Sequence, residues 1–396
     1  MVESNGAQCT SFEAMMRAAK AGAILGTLQA GYTNFTYLGQ ATREITEREA
    51  LLGVSITGWM TSPDVLFNEQ NMQIAAQSVL AVNKIIAKMI GINPSPRCTT
   101  TKPSGNASVL LNTDSGIHGA HSKRYFRNVQ MTNQETVLPL LQEHNPKMIE
   151  KSVWDATGNS LVVSFPIVSS DNAIFKKDLM GTKQLEYVKL AQQNWIEYGS
   201  DDSLSVDKRI RHNISNTISV DNTDEAWAEV EQYIFDNRQY FAGISLMAGA
   251  GDKAYAQAPF TEVLTAQEIM DLYGEGAMFA SGLIVDGMKA FSNNLWKGCD
   301  TALGRGMDLS GDDSDLLLAR DWVRRAEKMA KNYFNGDLEK TTFCLKDVFN
   351  LHKWENITRS LKDINFSEEL KKQTYTEVDT MGAIACNGDS CEVTFN

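Results

Sequence analysis

Positive charge is scarce in this sequence. Its 37 Lys and Arg stand against 49 Asp and Glu, a net charge of -12. Duplex nucleic-acid binders present a basic face, so that class is excluded. A small anion is not excluded, because a local nest of backbone N–H groups holds phosphate even inside an acidic protein. Long apolar runs are also lacking. The longest, such as 21–28, are short and interrupted by glycine, which excludes a membrane-spanning helix. The first residues do not run from basic through apolar to small, so no secretory signal is expected. Six Cys in 396 residues are too few for a disulfide scaffold and fit free thiols in the cytoplasm. No repeat or low-complexity tract is visible. What remains is an ordinary soluble composition, 43% apolar and 22% charged, in a chain long enough for a large core or two domains.

Helical and strand patterns alternate over residues 1–240. Residues 11–29 read as a helix, with Thr10 or Ser11 as its cap and Glu13 in the first turn. GVSITGWM at 53–60 reads as a short buried strand. A long helix over about 65–90 follows. Met72, Ala75, Val79, Val82, Ile86 and Met89 mark one face, and Gly91 ends it. The run 98–110 begins β-rich and breaks at Pro103, Ser104 and Gly105. LVVSF at 161–165 is a continuous apolar run, as in a strand buried on both faces. Residues 183–198 read as a helix with Leu185, Val188 and Trp195 on one side. ISNTISV at 214–220 alternates strictly, and Asp221 and Thr223 open another helix. This alternation predicts an α/β fold with a parallel sheet or barrel. Residues 266–290 and 313–335 read as helices, and the chain turns polar towards its carboxy terminus.

Two motifs can carry chemistry. Cys386 and Cys391 are separated by four residues that include Gly388 and Ser390. Such a loop lets two thiols close a disulfide and pass electrons by exchange. Two unrelated exposed thiols would look the same, and a zinc site would need more ligands than lie nearby. The second motif is Lys102 followed by Pro103, Ser104, Gly105, Asn106, Ala107 and Ser108. A strand ends there, a turn is forced, and small hydroxyl residues follow, a setting that can hold an anion. It lacks the spacing of a Walker loop, and a plain strand-to-helix turn suits it too. His118 and His121 have no Cys or carboxylate cluster beside them, so no metal site is expected. Cys9, Cys98, Cys299 and Cys344 are isolated and read as small buried residues.

AILGTLQ, LLGVSITG, TTTKPSGNASVLL, SGIH and RYFRNVQ, in this order, resemble the second half of the barrel of class II (adenosylcobalamin-dependent) ribonucleotide reductases. LVVSFPI and HNISNTISVD are similar to later strands of that barrel. RQYFAGISLM and AYAQAPFTEV are similar to the segment after its last strand, and ACNGDSCE to the family's carboxy-terminal dithiol. The resemblance covers most of 11–263 and again 375–393. It implies the second half of a ten-stranded α/β barrel of the ribonucleotide reductase/glycyl-radical type over 1–263. A mainly helical region over 264–370 and a flexible redox tail over 371–396 would follow. It further implies that the 103–108 loop binds the phosphates of a ribonucleotide. Cys386 and Cys391 would re-reduce an active-site disulfide and be reduced in turn by a thioredoxin- or glutaredoxin-like partner.

The departures from the family are specific. Its radical-bearing Cys lies in an Asn-Pro-Cys-x-Glu motif ahead of the first helix of this chain, and neither Asn-Pro-Cys nor Cys-x-Glu occurs here. Its second active-site Cys, in Phe-Cys-Asn-Leu-x-Glu, is lacking too. Matching the 11–29 helix puts Glu3 on that motif's Glu, and Cys9 falls too late to replace the Cys. The resemblance therefore implies a subunit that is inactive until an amino-terminal partner half brings the radical Cys and most of the adenosylcobalamin site. Two alternatives stay open: a fragment of a class I large subunit, and a non-catalytic assembly or regulatory remnant. The KPSG and SGIH runs favour class II, and the retained cysteine pair speaks against a remnant.

Overall fold

The computed structural model describes residues 1–155, 157–249, 257–290 and 314–372. In chain order the elements are β1 (Val2–Asn5), α1 (Phe12–Ala30), α2 (Gln40–Glu49), β2 (Val54–Thr57), α3 (Pro63–Leu66), α4 (Glu69–Ile90), α5 (Asn106–Leu110), β3 (Arg124–Thr132), α6 (Leu138–His144), β4 (Ile149–Lys151), β5 (Ser160–Val168), α7 (Thr182–Ala191), β6 (Ser215–Val220), α8 (Asp224–Asp236), β7 (Gly243–Ala248), β8 (Phe260–Glu262), α9 (Ala266–Tyr273), α10 (Glu275–Ala290), α11 (Ser314–Tyr333), α12 (Leu338–Thr358) and α13 (Phe366–Lys372).

Two compact units emerge. One joins Met1–Lys123 to Ser169–Gly251, and the other joins Arg124–Val168 to Asp252–Asn396. The division therefore falls elsewhere than the boundary expected at 263. The 124–168 segment belongs with the later helices, because β3 pairs with β8 across a long stretch of chain.

The first unit is built on parallel pairing. β1 lies beside β2 with Val2 opposite Val54. Residues 98–101 continue the sheet: Val54 N–H donates to Cys98 O at 2.7 Å and Thr100 N–H to Val54 O at 3.0 Å. A bridge from Thr101 to Ile214 carries the sheet on to β6, and β6 pairs in parallel with β7. Parallel neighbours need helical crossovers, and α1, α4 and α8 supply them. Side chains alternate across the sheet. Val54, Ile56, Ile214, Ile218 and Val220 enter one apolar core with Met15, Met72, Val79, Leu185, Val188 and Trp195 from the helices.

Local chemistry explains the helices. Ser11 caps α1 by accepting from Ala14 N–H at 3.2 Å. Gly22 and Gly26 face the sheet, where a Cβ would stand 2.8 Å from Val54 Cγ1 and 2.9 Å from Leu52 Cδ1. Helix α4 opens on an Asn68 cap and closes on Gly91 at φ 75°. Met72, Ala75 and Val79 are buried in it as expected, but Met89 is 74% exposed, and Asn83 and Ala87 take over the inner stripe. The expected stripe steps by 3.5 residues, and a straight helix of 3.6 drifts off it over three turns. Buried Asn83 donates to Thr27 Oγ1 at 3.0 Å and accepts from Ser95 N–H at 2.9 Å, tying α1, α4 and the approach to residues 98–101 together.

LVVSF at 161–165 is not a later strand of the parallel sheet. It lies in β5, which runs antiparallel to β3 from Arg124 opposite Val168 to Thr132 opposite Ser160. The second unit orders its sheet β4-β5-β3-β8. Val163 is buried there among Phe126, Leu138, Met148 and Ile357 of α12. Burial of consecutive residues, which suggested a parallel strand, comes from this helical cover. A further core links α9 to α12 through Trp322, Met329 and Leu345.

Candidate functional site

The second face of the parallel sheet is polar. By alternation and register it carries Glu3 and Asn5 of β1, Ser55 and Thr57 of β2, then Thr100 and Lys102, then Ser215 and Thr217 of β6. A sheet face lined with hydroxyls and amides gains little from burial against helices, and it suits a polar ligand or a hydrated interior. In open α/β sheets ligands settle at the carboxyl ends of the strands. The loop 103–108 leaves residues 98–101 at that end.

Thr57 is the hub of this end. Its hydroxyl is fully buried. It meets Asp114 O at 2.9 Å, the Gly116 N–H at 2.9 Å and the hydroxyl of Ser104. Ser104 N–H in turn donates to Ser115 Oγ at 3.0 Å, and Ser108 Oγ donates to Gly105 O at 2.7 Å. Asn5 Nδ2 reaches Leu111 O, past the end of α5, at 2.7 Å. Two strands thus hold both ends of the loop. Gly116 sits at φ 51°, and a Cβ there would stand 2.9 Å from Lys102 O, so the turn needs a glycine.

The SGIH run at 115–118 is locked in place. Ile117 O accepts from Gln184 Nε2 and from Asn216 Nδ2, each at 3.0 Å. His118 donates from Nδ1 to Ser115 O at 2.7 Å and accepts at Nε2 from Thr217 N–H at 3.3 Å. A carbonyl only accepts and an amide N–H only donates, which fixes the neutral tautomer. Burial lowers the His118 pKa, and the nearby Lys176 charge lowers it further. Lys102 Nζ donates to Asn213 Oδ1 and, at 3.0 Å, to Ser215 Oγ, and burial lowers its pKa.

Glu3 stands apart. Neither carboxylate oxygen has a hydrogen-bond partner of ordinary geometry. The Ser55 hydroxyl is near enough to favour the ionised form slightly, but burial dominates and pushes the pKa up to about 7. A carboxyl group poised there exchanges protons readily near neutral pH.

The loop residues singled out from sequence do come together at one end of the polar face. Cys386 and Cys391 lie outside the described residues, as does Cys299. Cys9, Cys98 and Cys344 are buried, with burial pushing their pKa values up to about 11, about 12 and about 12, which leaves inert thiols. Sequence reasoning missed Asn5, Thr57 and Asn213. Only Thr57 carried a local signal, alternating with Val54 and Ile56 in a buried strand; Asn5 follows Glu3 and Ser4, and Asn213 follows Arg211 and His212. Among the described residues no three His, Cys, Asp or Glu gather to hold a metal, and no helix is long and apolar enough to cross a membrane. A cavity of about 500 Å³ lies along α7 and the turn before it, lined by Leu179, Lys183, Glu186 and Tyr187 among others. It carries no His and holds charges of both signs, so it does not fit a corrin with its cobalt.

No family model matches the chain. Its sequence is 26% identical over 159 residues to the adenosylcobalamin-dependent ribonucleoside-triphosphate reductase of Lactobacillus acidophilus, covering 40% of this chain and 20% of that protein. The enzyme of the same name from Lactobacillus helveticus is 26% identical over 144 residues, covering 36% of this chain and 19% of that protein. The matched spans thus take in about a fifth of the relatives' length. A crystal structure of a B-12 dependent (class II) ribonucleotide reductase superposes with a TM-score of 0.50 at 17% identity, covering 63% of this chain and 36% of that one. The fold resembles part of a class II ribonucleotide reductase. Sequence relatives and structural neighbour agree on the same family, and the mixed α/β architecture fits it.

Proposed function

We propose that the chain is part of an adenosylcobalamin-dependent reductase that converts ribonucleotides to 2'-deoxyribonucleotides by thiyl-radical chemistry. It would be the second half of a ten-stranded barrel, working with an amino-terminal half that brings the radical Cys. The observation that carries this reading is the polar face of the parallel sheet, with the 103–108 loop at its carboxyl end. Pro103, Ser104, Gly105, Asn106, Ala107 and Ser108 hold the substrate phosphates and so place the ribose over that face. Glu3 holds or releases a proton at its carboxyl. Cys386 and Cys391 return two electrons after each turnover. One thiolate attacks the active-site disulfide, and the second displaces the mixed disulfide, leaving the tail pair oxidised and the active-site pair reduced. A thioredoxin- or glutaredoxin-like protein then reduces the tail. Adenosylcobalamin supplies the radical when bound, and the amino-terminal half would bring most of its site.

The test is deoxyribonucleotide formation from ribonucleotide, adenosylcobalamin and a small dithiol, with this chain alone and mixed with the amino-terminal half of a class II relative. Activity only in the mixture is expected. With thioredoxin as reductant, Cys386→Ser or Cys391→Ser abolishes turnover, while the small dithiol still supports it. A stable mixed complex without product would overturn the enzymatic reading, and equal loss with both reductants would refute the shuttle.

A further inference from the structure

The hydroxyls of the 103–108 loop look like its ligand donors, yet a count of protons says otherwise. Asp114 O can only accept, so the Thr57 hydroxyl donates to it, and Gly116 N–H can only donate, so Thr57 accepts from it. The remaining contact at Thr57 is therefore donated by Ser104. The Ser104 proton points inward, and its N–H is taken by Ser115 Oγ. Ser108 spends its proton on Gly105 O, and Ala107 N–H is bonded to Ser104 O at 2.9 Å. Pro103 has no N–H.

Lys102 is different. An ammonium offers three donors, and two are held here by the neutral oxygens of Asn213 and Ser215. Among the described residues no carboxylate lies within ion-pair distance of it. A half-buried cation met only by neutral acceptors is under-compensated, and an arriving anion supplies the missing charge. Of the two cations whose charges help to depress the pKa of His212, Arg97 is already paired with Glu49 at 3.0 Å, which leaves Lys102 as the one without a carboxylate among the described residues.

We propose that Lys102 supplies the positive charge that holds a substrate phosphate at this loop, and that Ser104 and Ser108 are positioning residues whose hydroxyls face inward. This rests on the reading of the loop as the phosphate site. The anion would draw one Nζ–H away from Asn213 or use the third. The roles of Lys102 and Ser104 separate in a calorimetric titration of the full chain with inorganic pyrophosphate, at low and at high salt. Lys102→Gln should weaken binding about tenfold or more and flatten its salt dependence. Lys102→Arg keeps the charge and should stay within about threefold of the unchanged chain. Ser104→Ala should weaken binding less than Lys102→Gln and leave its salt dependence intact, because it removes no charge and Thr57 keeps its bonds to Asp114 and Gly116. If Ser104→Ala abolishes binding while Lys102→Gln keeps it, the assignment is wrong and the hydroxyls hold the anion. Should the unchanged chain bind no pyrophosphate at all, the phosphate reading of the loop fails with it. Circular dichroism of each variant shows whether the fold is kept, and the Gln-against-Arg comparison isolates charge from packing.

Discussion

At the scale of single residues, Glu3 makes the sharpest claim. Its folded pKa is about 7 against 4.5 for the free side chain, so the folded state binds the proton more tightly than the unfolded state. A raised carboxyl contributes stability that is fully present below the unfolded pKa. That contribution is lost as pH rises through the folded value, here from about 4.5 to about 7. Asp347 in the second unit, pushed up to about 6 by burial, adds a slope of the same sign. His118 and His212, both depressed by burial, add the opposite one. The difference between Glu3→Gln and the unchanged chain cancels those terms. In urea unfolding followed against pH, the variant should gain on the parent as pH rises through that window. Parallel curves would mean that Glu3 is well solvated or well partnered in solution. Residue roles were the least legible part of the sequence. Glu3 and Thr57 take their place in the site from a register that brings residues 3, 55 and 57 to one face. The 103–108 loop was legible because proline and glycine declare a turn, but the direction in which its hydroxyls donate was not.

At the scale of elements, the sequence was most readable where one local rule decides. Ser11 and Thr223 cap the helices they precede, and the alternation of 214–220 returns as alternate burial in β6. It was unreadable where a distant partner decides. LVVSF has the same apolar letters in a parallel or an antiparallel sheet, and only the ladder to β3 chooses between them. Residues 98–101 make only bridges to their neighbours, and Trp195 helps hold them by donating from Nε1 to Thr100 O at 3.1 Å. Glycines within α1 make a test at this scale. By helix propensity alone Gly22→Ala gains about 1 kcal/mol. The added Cβ would meet Val54 Cγ1 at 2.8 Å and Ser4 Oγ at 3.4 Å. The clash should win, with a net loss of about 1–3 kcal/mol in the unfolding free energy read from urea titration. A stabilised variant would show that α1 does not lie this close to β2.

At the scale of the whole molecule, the parallel sheet ends in two unpaired strands. Among the described residues nothing pairs with the outer edge of β1 or of β7. Val2 N–H donates inward to Gly53 O, so by the alternation of a parallel ladder the main chain of Glu3 points outward. On β7, Leu246 is 42% and Met247 59% exposed. Open edges of this kind recruit other strands unless they are covered or charged. The chain by itself should therefore self-associate with rising concentration, as light scattering would record. Salt separates this cause from another. The net charge of -12 repels copies of the chain, so screening that repulsion should promote edge pairing, whereas association through ion pairs would weaken. Placing lysines on the edge, as Leu246→Lys with Met247→Lys, should restore a monomer while leaving the thermal midpoint nearly unchanged, because both side chains already face solvent. Addition of an amino-terminal half from a class II relative should suppress self-association in the same way, since it would cover the same edges. A stable, monodisperse monomer at every concentration and salt would remove the structural reason for supposing that this sheet is half of something larger.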